Sequence, residues 1–292
     1  MNNLIDETFL SRLSTLRFMT RGKQKGRLSG IHASRRTGVS LEFADYRPYA
    51  QGDDLRYVDW KVYGRLGRIV VKSFVHESDL PVYLLIDLSS SMSLGSPPKA
   101  RYAAQLCAAL AYLGLKSHDR MGVYSFADRI LTPVFPRHGM SQLSRIMQYL
   151  GETEASGETS IDRAIEQFLQ MTHESGLVIL ISDFLSDSGY QQGLNRLLHR
   201  GDEVVAIQVL AQEEIDPTSS GKTRFVEIET GRNVTLSVGQ QALQEYKSRF
   251  AQYQEELADA MHHRSILHFV VPTTRPLLTL IHEDFRARGF LR

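Results

Sequence analysis

From Leu80 onward the chain alternates short, unbroken apolar runs with longer stretches whose apolar residues recur at helical spacing. A run such as residues 82 to 87 or 177 to 182 offers water no polar face, so as a strand it must be covered on both sides. Strands of that kind, separated by amphipathic helices, argue for a doubly wound α/β domain with a mostly parallel sheet. Buried strands are expected at residues 82–87, 121–126, 177–182, 203–210 and 266–271. Helices are expected at 98–117, 141–150, 161–172, 191–199, 240–263 and 276–287, the first with Pro98 in its opening turn. The tight turn Ala127-Asp128-Arg129 leads into 130–135 as an antiparallel neighbour of 121–126. Residues 225–230 and 233–238 read as a hairpin turning at Gly231-Arg232, an insertion near 223–238.

Residues 1–79 read differently and are expected to form a separate N-terminal segment before an α/β domain at 80–292. No acid stands between Glu7 and Glu42, while Arg12, Arg17, Arg21, Lys23, Lys25, Arg27, Arg35 and Arg36 are all basic. Residues 41–72 are rich in rings: Phe43, Tyr46, Tyr49, Tyr57, Trp60 and Tyr63 interleave with Arg47, Asp53, Asp54, Arg56, Asp59 and Lys61. The quartet Gln51-Gly52-Asp53-Asp54 is a turn signal inside that block. Packed rings edged by ion pairs are the favoured reading over base stacking. Residues 68–75 alternate as a strand.

Net charge is +1 over 292 residues, which excludes a wholesale polyanion binder. The single cysteine, Cys107, excludes an intramolecular disulfide framework and a thiolate metal cluster. The opening residues MNNLIDETFL carry acids where a signal peptide needs basic residues. No apolar run approaches the ~20 residues that span a bilayer, so a cytoplasmic, unanchored chain is expected.

In a doubly wound sheet, ligands bind at the carboxyl ends of the strands. The first strand of the α/β domain ends in Asp87-Leu88-Ser89-Ser90-Ser91, and 177–182 runs into Asp183, so two carboxylates emerge on one rim. Between them, Gly157-Glu158-Thr159-Ser160 precedes an amphipathic helix. A tight turn after a strand lets alternate side chains of Asp-x-Ser-x-Ser converge. With Thr159 and Asp183 the set holds five hard oxygen donors and neither sulfur nor imidazole. Such donors suit Mg²⁺, Mn²⁺ or Ca²⁺, and an octahedral ion would still need water or an outside ligand.

The segments Asp87-Leu-Ser89-Ser-Ser91, Gly157-Glu-Thr159-Ser and Ile-Ser-Asp183, in that order, resemble the metal-ion-dependent adhesion site of the von Willebrand factor A domain. The resemblance implies that Ser89, Ser91 and Thr159 supply hydroxyls while Asp87 and Asp183 bind directly or through water. It also implies that an acidic residue of a partner fills the free position, making the metal a recognition device. A second block is similar to the bacterial family catalogued as domain of unknown function fifty-eight. It comprises Ser34-Arg-Arg, Leu41-Glu-Phe-Ala-Asp-Tyr-Arg-Pro-Tyr, Gly52-Asp-Asp-Leu-Arg, Asp59-Trp60-Lys and Val71-Lys72. That family joins such a segment to a von Willebrand A-like domain. The resemblance implies a MoxR-type AAA+ ATPase as partner, in chaperone-like assembly or activation of client proteins, and implies no enzymatic activity.

Two other classes compete. A metal-dependent phosphoester hydrolase could use Ser89 or Ser91 as nucleophile. Position 89, however, is serine where aspartyl phosphatases carry a second carboxylate, and His262-His263 lies on the polar face of a long helix. A polyanion or membrane-surface binder could use the basic segment 12–36. Gly221-Lys222-Thr223 resembles the end of a phosphate-binding loop, but position 216 is Asp216 where that loop needs glycine, so ATP hydrolysis is not expected.

Overall fold

In the computed structural model, which describes residues 5–19, 42–49, 58–75, 81–186, 189–217, 221–226, 233–238 and 240–292, the chain begins with helix α1 (Glu7–Arg12). Asp6 starts it by accepting from Phe9 N at 2.6 Å and from the Thr8 hydroxyl at 2.8 Å, which satisfies donors that a helix start leaves open. Leu13, Leu16 and Phe18 follow, all buried. The Phe18 ring lies 5.5 Å from that of Phe290. Arg17 and Arg292 exchange backbone hydrogen bonds of 3.2 and 3.0 Å, and Met19 N donates to Phe290 O at 2.9 Å. The first residues therefore strap the last ones. The two compact units are Met1–Met19 with Leu80–Arg292, and Thr20–Asp79, so the expected single segment 1–79 is divided at Met19. Local pattern assigns Leu13, Leu16 and Phe18 to the basic stretch around them, because their apolar partners stand at the other end of the chain.

Within the unit Thr20–Asp79, strand β1 (Glu42–Pro48) pairs antiparallel with β2 (Val70–Val75), with an irregularity between Phe43 and Asp45. Helix α2 (Trp60–Leu66) lies between them in sequence. Asp59 caps it by accepting from Lys61 N and Val62 N at 3.0 and 3.2 Å, and Gly67, at φ 62°, closes it. The Trp60 and Tyr63 rings meet edge-on at 6.2 Å, yet both are exposed, so they depart from the expected packed layer. The basic residues at 21–36, the turn at 51–54 and Tyr57 lie outside the described residues, as does the Gly231-Arg232 turn.

The larger unit is built in the order β3 (Pro81–Asp87), α3 (Lys99–Lys116), β4 (Arg120–Phe126), β5 (Val134–Arg137), α4 (Met140–Glu152), α5 (Ile161–Met171), β6 (Leu177–Ser182), α6 (Gln191–Arg200), β7 (Glu203–Leu210) and α7 (Gln212–Ile215). There follow β8 (Gly221–Val226), β9 (Asn233–Val238), α8 (Gln240–His263) and β10 (Leu267–Pro272). A last helical run, Leu277–Thr279 and Phe285–Ala287, is joined through a π turn at Leu280–Asp284. The six-stranded sheet runs β10-β7-β6-β3-β4-β5, parallel throughout except for β5. This is the expected doubly wound α/β architecture with a mostly parallel sheet. Successive residues of β3 serve opposite cores. Leu84 and Ile86 face the one containing Leu106, Leu110 and Phe285, whereas Tyr83 and Leu85 face the one containing Ile165, Phe168 and Leu257. No helix among the described residues is long and apolar enough to cross a membrane.

Three elements differ from expectation. β5 starts at Val134, not at Ile130, which makes only an isolated bridge to Phe126. Pro133 lacks the N–H that would extend the ladder. The first hairpin strand is Gly221–Val226, with Val226 opposite Asn233, so apolar alternation at 225–230 misplaced it. β10 is an edge strand paired with β7 alone, and Val270 is half-exposed where full burial was expected.

The chain leaves β3 toward β4 and β5, then returns to β6 on the other side of β3, so strand order reverses between β3 and β6. Ile86 pairs with Ile181, which puts Asp87 and Asp183 at adjacent carboxyl ends.

Candidate metal centre

The Asp87 loop is shaped by its own side chains. Asp87 Oδ1 accepts from Ser89 N at 2.9 Å, folding the backbone back two residues on, as Asp does in turns. The chain then makes a 3-10 turn at Ser90–Ser93. Ser89 Oγ and Ser91 Oγ stand 3.1 Å apart, and Ser91 Oγ donates to Asp183 Oδ2 at 2.7 Å. From the facing strand, Ser182 Oγ donates to Asp87 Oδ2 at 2.6 Å and accepts from Phe184 N at 2.9 Å. Asp183 Oδ1 accepts from Leu185 N at 3.0 Å. Asp87, Ser89, Ser91 and Asp183 thus form one hydrogen-bonded chain across the strand ends.

Thr159 comes to the same rim on its loop. Ser90 N donates to Gly157 O at 2.9 Å and Ser156 N to Leu88 O at 2.7 Å, which ties the 156–159 loop to the Asp87 loop. Ser186 Oγ donates to Thr159 O at 3.0 Å, so the Asp183 side holds it too. Phe184 takes a left-handed φ of 61°, uncommon for a bulky residue and a form of strain found at functional sites. The Tyr253 hydroxyl of α8 donates to Phe184 O and holds that bend.

Asp87, Ser89, Ser182 and Asp183 are completely buried. Burial first, and the Asp183 charge second, push the Asp87 carboxyl up to about 7, against the opposing hydrogen bonds from Ser182 and Ser89. A cation between the two carboxylates would relieve that repulsion. The convergent donors are hard oxygens, so the residues fit Mg²⁺, Mn²⁺ or Ca²⁺. Among the described residues no group of three or more His, Cys, Asp and Glu stands in metal-holding array. An ion here would draw on hydroxyls as well as on the carboxylates of Asp87 and Asp183.

Sequence reasoning missed Lys99. Its Nζ lies 2.7 Å from Asp183 Oδ2 and 2.5 Å from Glu214 Oε1, with the lysine and Asp183 side chains fully buried. Two signals pointed to it: a lysine at the first residue of a helix, where the dipole disfavours a cation, and the acidic pair Glu213-Glu214 just past a strand end. Gln208 was also missed. It is buried in β7 and donates from Nε2 to Asp183 O at 3.0 Å, fixing the backbone that carries the carboxylate.

The family described as "Protein of unknown function DUF58" matches residues 45–256. An uncharacterized protein of Mycobacterium bovis and one of Mycobacterium tuberculosis are each 26% identical over 231 residues, covering 77% of this chain and 73% of the relative. Among solved structures, the conserved hypothetical protein BatB from Bacteroides thetaiotaomicron aligns with a TM-score of 0.44 at 15% identity, covering 72% of this chain and 98% of that one. The manganese-loaded TRAP protein of Plasmodium vivax aligns with a TM-score of 0.37 at 24% identity, covering 46% of this chain and 58% of that one.

Proposed function

The chain belongs to the DUF58 family of proteins of unknown function, and from that membership and the geometry of the strand ends we propose that it is a metal-dependent protein-interaction module. A divalent ion held by Asp87, Ser89, Ser91, Thr159 and Asp183 would receive a carboxylate from a partner protein. The observation that carries this reading is the hydrogen-bonded chain from Asp87 through Ser89 and Ser91 to Asp183, which gathers two buried carboxylates and two hydroxyls from two strand ends. Mg²⁺ is the favoured ion, with Mn²⁺ or Ca²⁺ as alternatives. When bound, it supplies a Lewis-acidic position that a partner Asp or Glu can occupy. The chain's own groups do the orienting. Ser89 N and Ser182 Oγ hold the two oxygens of Asp87, while Leu185 N and Gln208 fix Asp183.

Recognition is preferred to catalysis because the Ser91 hydroxyl donates to a carboxylate oxygen that also accepts from the Lys99 ammonium. An acceptor so engaged is a weak base for activating a nucleophile. The finer reading, carried by the family resemblance, is an adaptor for a MoxR-type AAA+ ATPase acting in assembly or activation of client proteins.

Calorimetry of the metal-stripped protein with Mg²⁺, Mn²⁺ and Ca²⁺, repeated on Asp87→Ala, tests the site. Binding by the wild type that disappears in the variant supports the reading. Undiminished binding by the variant removes Asp87 from the centre. Capture of the ATPase that is lost with EDTA and in Asp87→Ala is the expected result for the partner, and capture indifferent to both would refute the role of the site in that contact.

A further inference from the structure

A lysine is almost never fully buried unless it is paired, and a cation in the first turn of a helix opposes the helix dipole. Lys99 opposes the dipole, and it is buried only by virtue of its pairing. It is the first residue of α3 and is completely buried. Neither helix stability nor packing accounts for a charged group there, but its surroundings do. Its Nζ bridges Asp183 Oδ2 at 2.7 Å and Glu214 Oε1 at 2.5 Å. These anions come from different elements, Asp183 from the end of β6 and Glu214 from α7. Only Asp183 belongs to the five-donor set. Glu214 is oriented independently, because its Oε2 accepts from Ala211 N at 2.7 Å at the start of α7.

Asp183 Oδ2 already accepts from Ser91 Oγ and from Lys99 Nζ, and Oδ1 accepts from Leu185 N. An ion that drew on Asp183 would meet the ammonium at the same oxygen. With its carboxylates ionised, the cluster of Asp87, Asp183 and Glu214 against Lys99 retains two negative charges, matched by one divalent ion. The lysine stem is flexible and its ammonium carries three donors without fixed geometry, so it can transfer its weight from one carboxylate to the other.

We propose that Lys99 is an internal counter-cation of the centre, sharing Asp183 with the divalent ion and withdrawing onto Glu214 when the ion binds. The inference rests on the metal-site reading and adds Lys99 and Glu214 as residues that set ion affinity. It differs from a structural role in the sign of its effect. A lysine that merely positions Asp183 supports ion binding and its loss weakens it, whereas a competing ammonium opposes ion binding and its loss strengthens it.

The test is Mn²⁺ calorimetry with thermal melting in Mn²⁺ and in EDTA, on the full chain and on Lys99→Met and Glu214→Gln. Lys99→Met should bind Mn²⁺ more tightly by roughly tenfold or more, since a like charge is removed from beside the ion. Its melting temperature should also depend more on Mn²⁺ than the wild type's, because the ion then supplies the positive charge that Lys99 gave the buried carboxylates. Glu214→Gln removes the second negative charge facing the ammonium, leaves it drawn to Asp183, and should weaken binding roughly threefold or more. Mn²⁺ binding by the wild type with equal or weaker binding by Lys99→Met overturns the exchange while leaving the metal site intact. Should Lys99→Met fail to fold even in Mn²⁺, unchanged or tighter binding by Glu214→Gln overturns it instead. No Mn²⁺ binding by the wild type and by Lys99→Met alike refutes the metal site, and the exchange with it.

Discussion

Replacement of Phe18 by Ala tests whether the first residues of the chain are part of the α/β unit. The Phe18 side chain is 4% exposed, and its ring lies 5.5 Å from Phe290. Phe290 in turn stands 5.1 Å from Phe285 and 5.9 Å from Phe269, an edge-strand residue. Truncation therefore opens one side of a four-ring cluster while the backbone bonds between Arg17 and Arg292 can persist. Phe→Ala in a core costs about 3–5 kcal/mol. The lower end applies here, about 3 kcal/mol, because the neighbouring rings of Phe290 and Phe285 can partly close over the gap. At a urea dependence of ~3 kcal/mol per molar, the unfolding midpoint should fall by about 1 M. Far-ultraviolet circular dichroism is the proper probe, since the single Trp60 belongs to the other unit and its fluorescence reports on that unit. Met19→Ala, at a 39% exposed side chain in the same bridge, is the control and should stay within about 0.5 kcal/mol. A midpoint for Phe18→Ala within about 0.3 M of the wild type would refute the strap.

Burial first, and the nearby Arg288 charge second, hold His268 down to about 4, below its unfolded value near 6.5. The unfolded chain then binds the extra proton first, so the stabilisation is complete above about pH 6.5 and is lost as pH falls toward 4. Allowing for partial solvent screening, about 2 kcal/mol should disappear between those limits in urea titrations; the same slope in His268→Gln would contradict this. Two glycines should respond oppositely to alanine. A Cβ at Gly176 would stand 2.1 Å from Pro81 O, a backbone atom, so Gly176→Ala should cost about 2 kcal/mol. At Gly151, inside α4 with nothing within 4 Å of the added Cβ, alanine should stabilise by about 0.5 kcal/mol, and equal melting shifts for the pair would contradict the packing at β3 and β6.

Much of the fold was legible because the relevant signal is local. The strands β6 and β7 fall where unbroken apolar runs place them, since a segment buried on both faces has no alternative pattern to show, and the helix α8, with Leu257 and Met261 buried on an otherwise polar surface, falls where helical spacing places it. β5 and the hairpin were misjudged where alternation alone had to choose a register, because register is settled by what the partner strand offers. Trp60 and Tyr63 looked like core and stand exposed, as aromatic content says nothing about which face a short helix turns inward.

The Asp-x-Ser-x-Ser turn could be read directly, since Asp87 Oδ1 reaches a backbone N–H only two residues away and the geometry closes within the loop. That Asp183 emerges on the same rim followed from the parallel sheet and the reversal of strand order. The sequence by itself determined the class of sheet, the local turn and the oxygen character of the donors, because each rests on neighbours along the chain. Only the tertiary structure decided that Lys99 stands between Asp183 and Glu214 and that Phe18 closes against Phe290. Both contacts join residues with no local relation, and their stability comes from burial and charge pairing that exist only once the sheet has assembled.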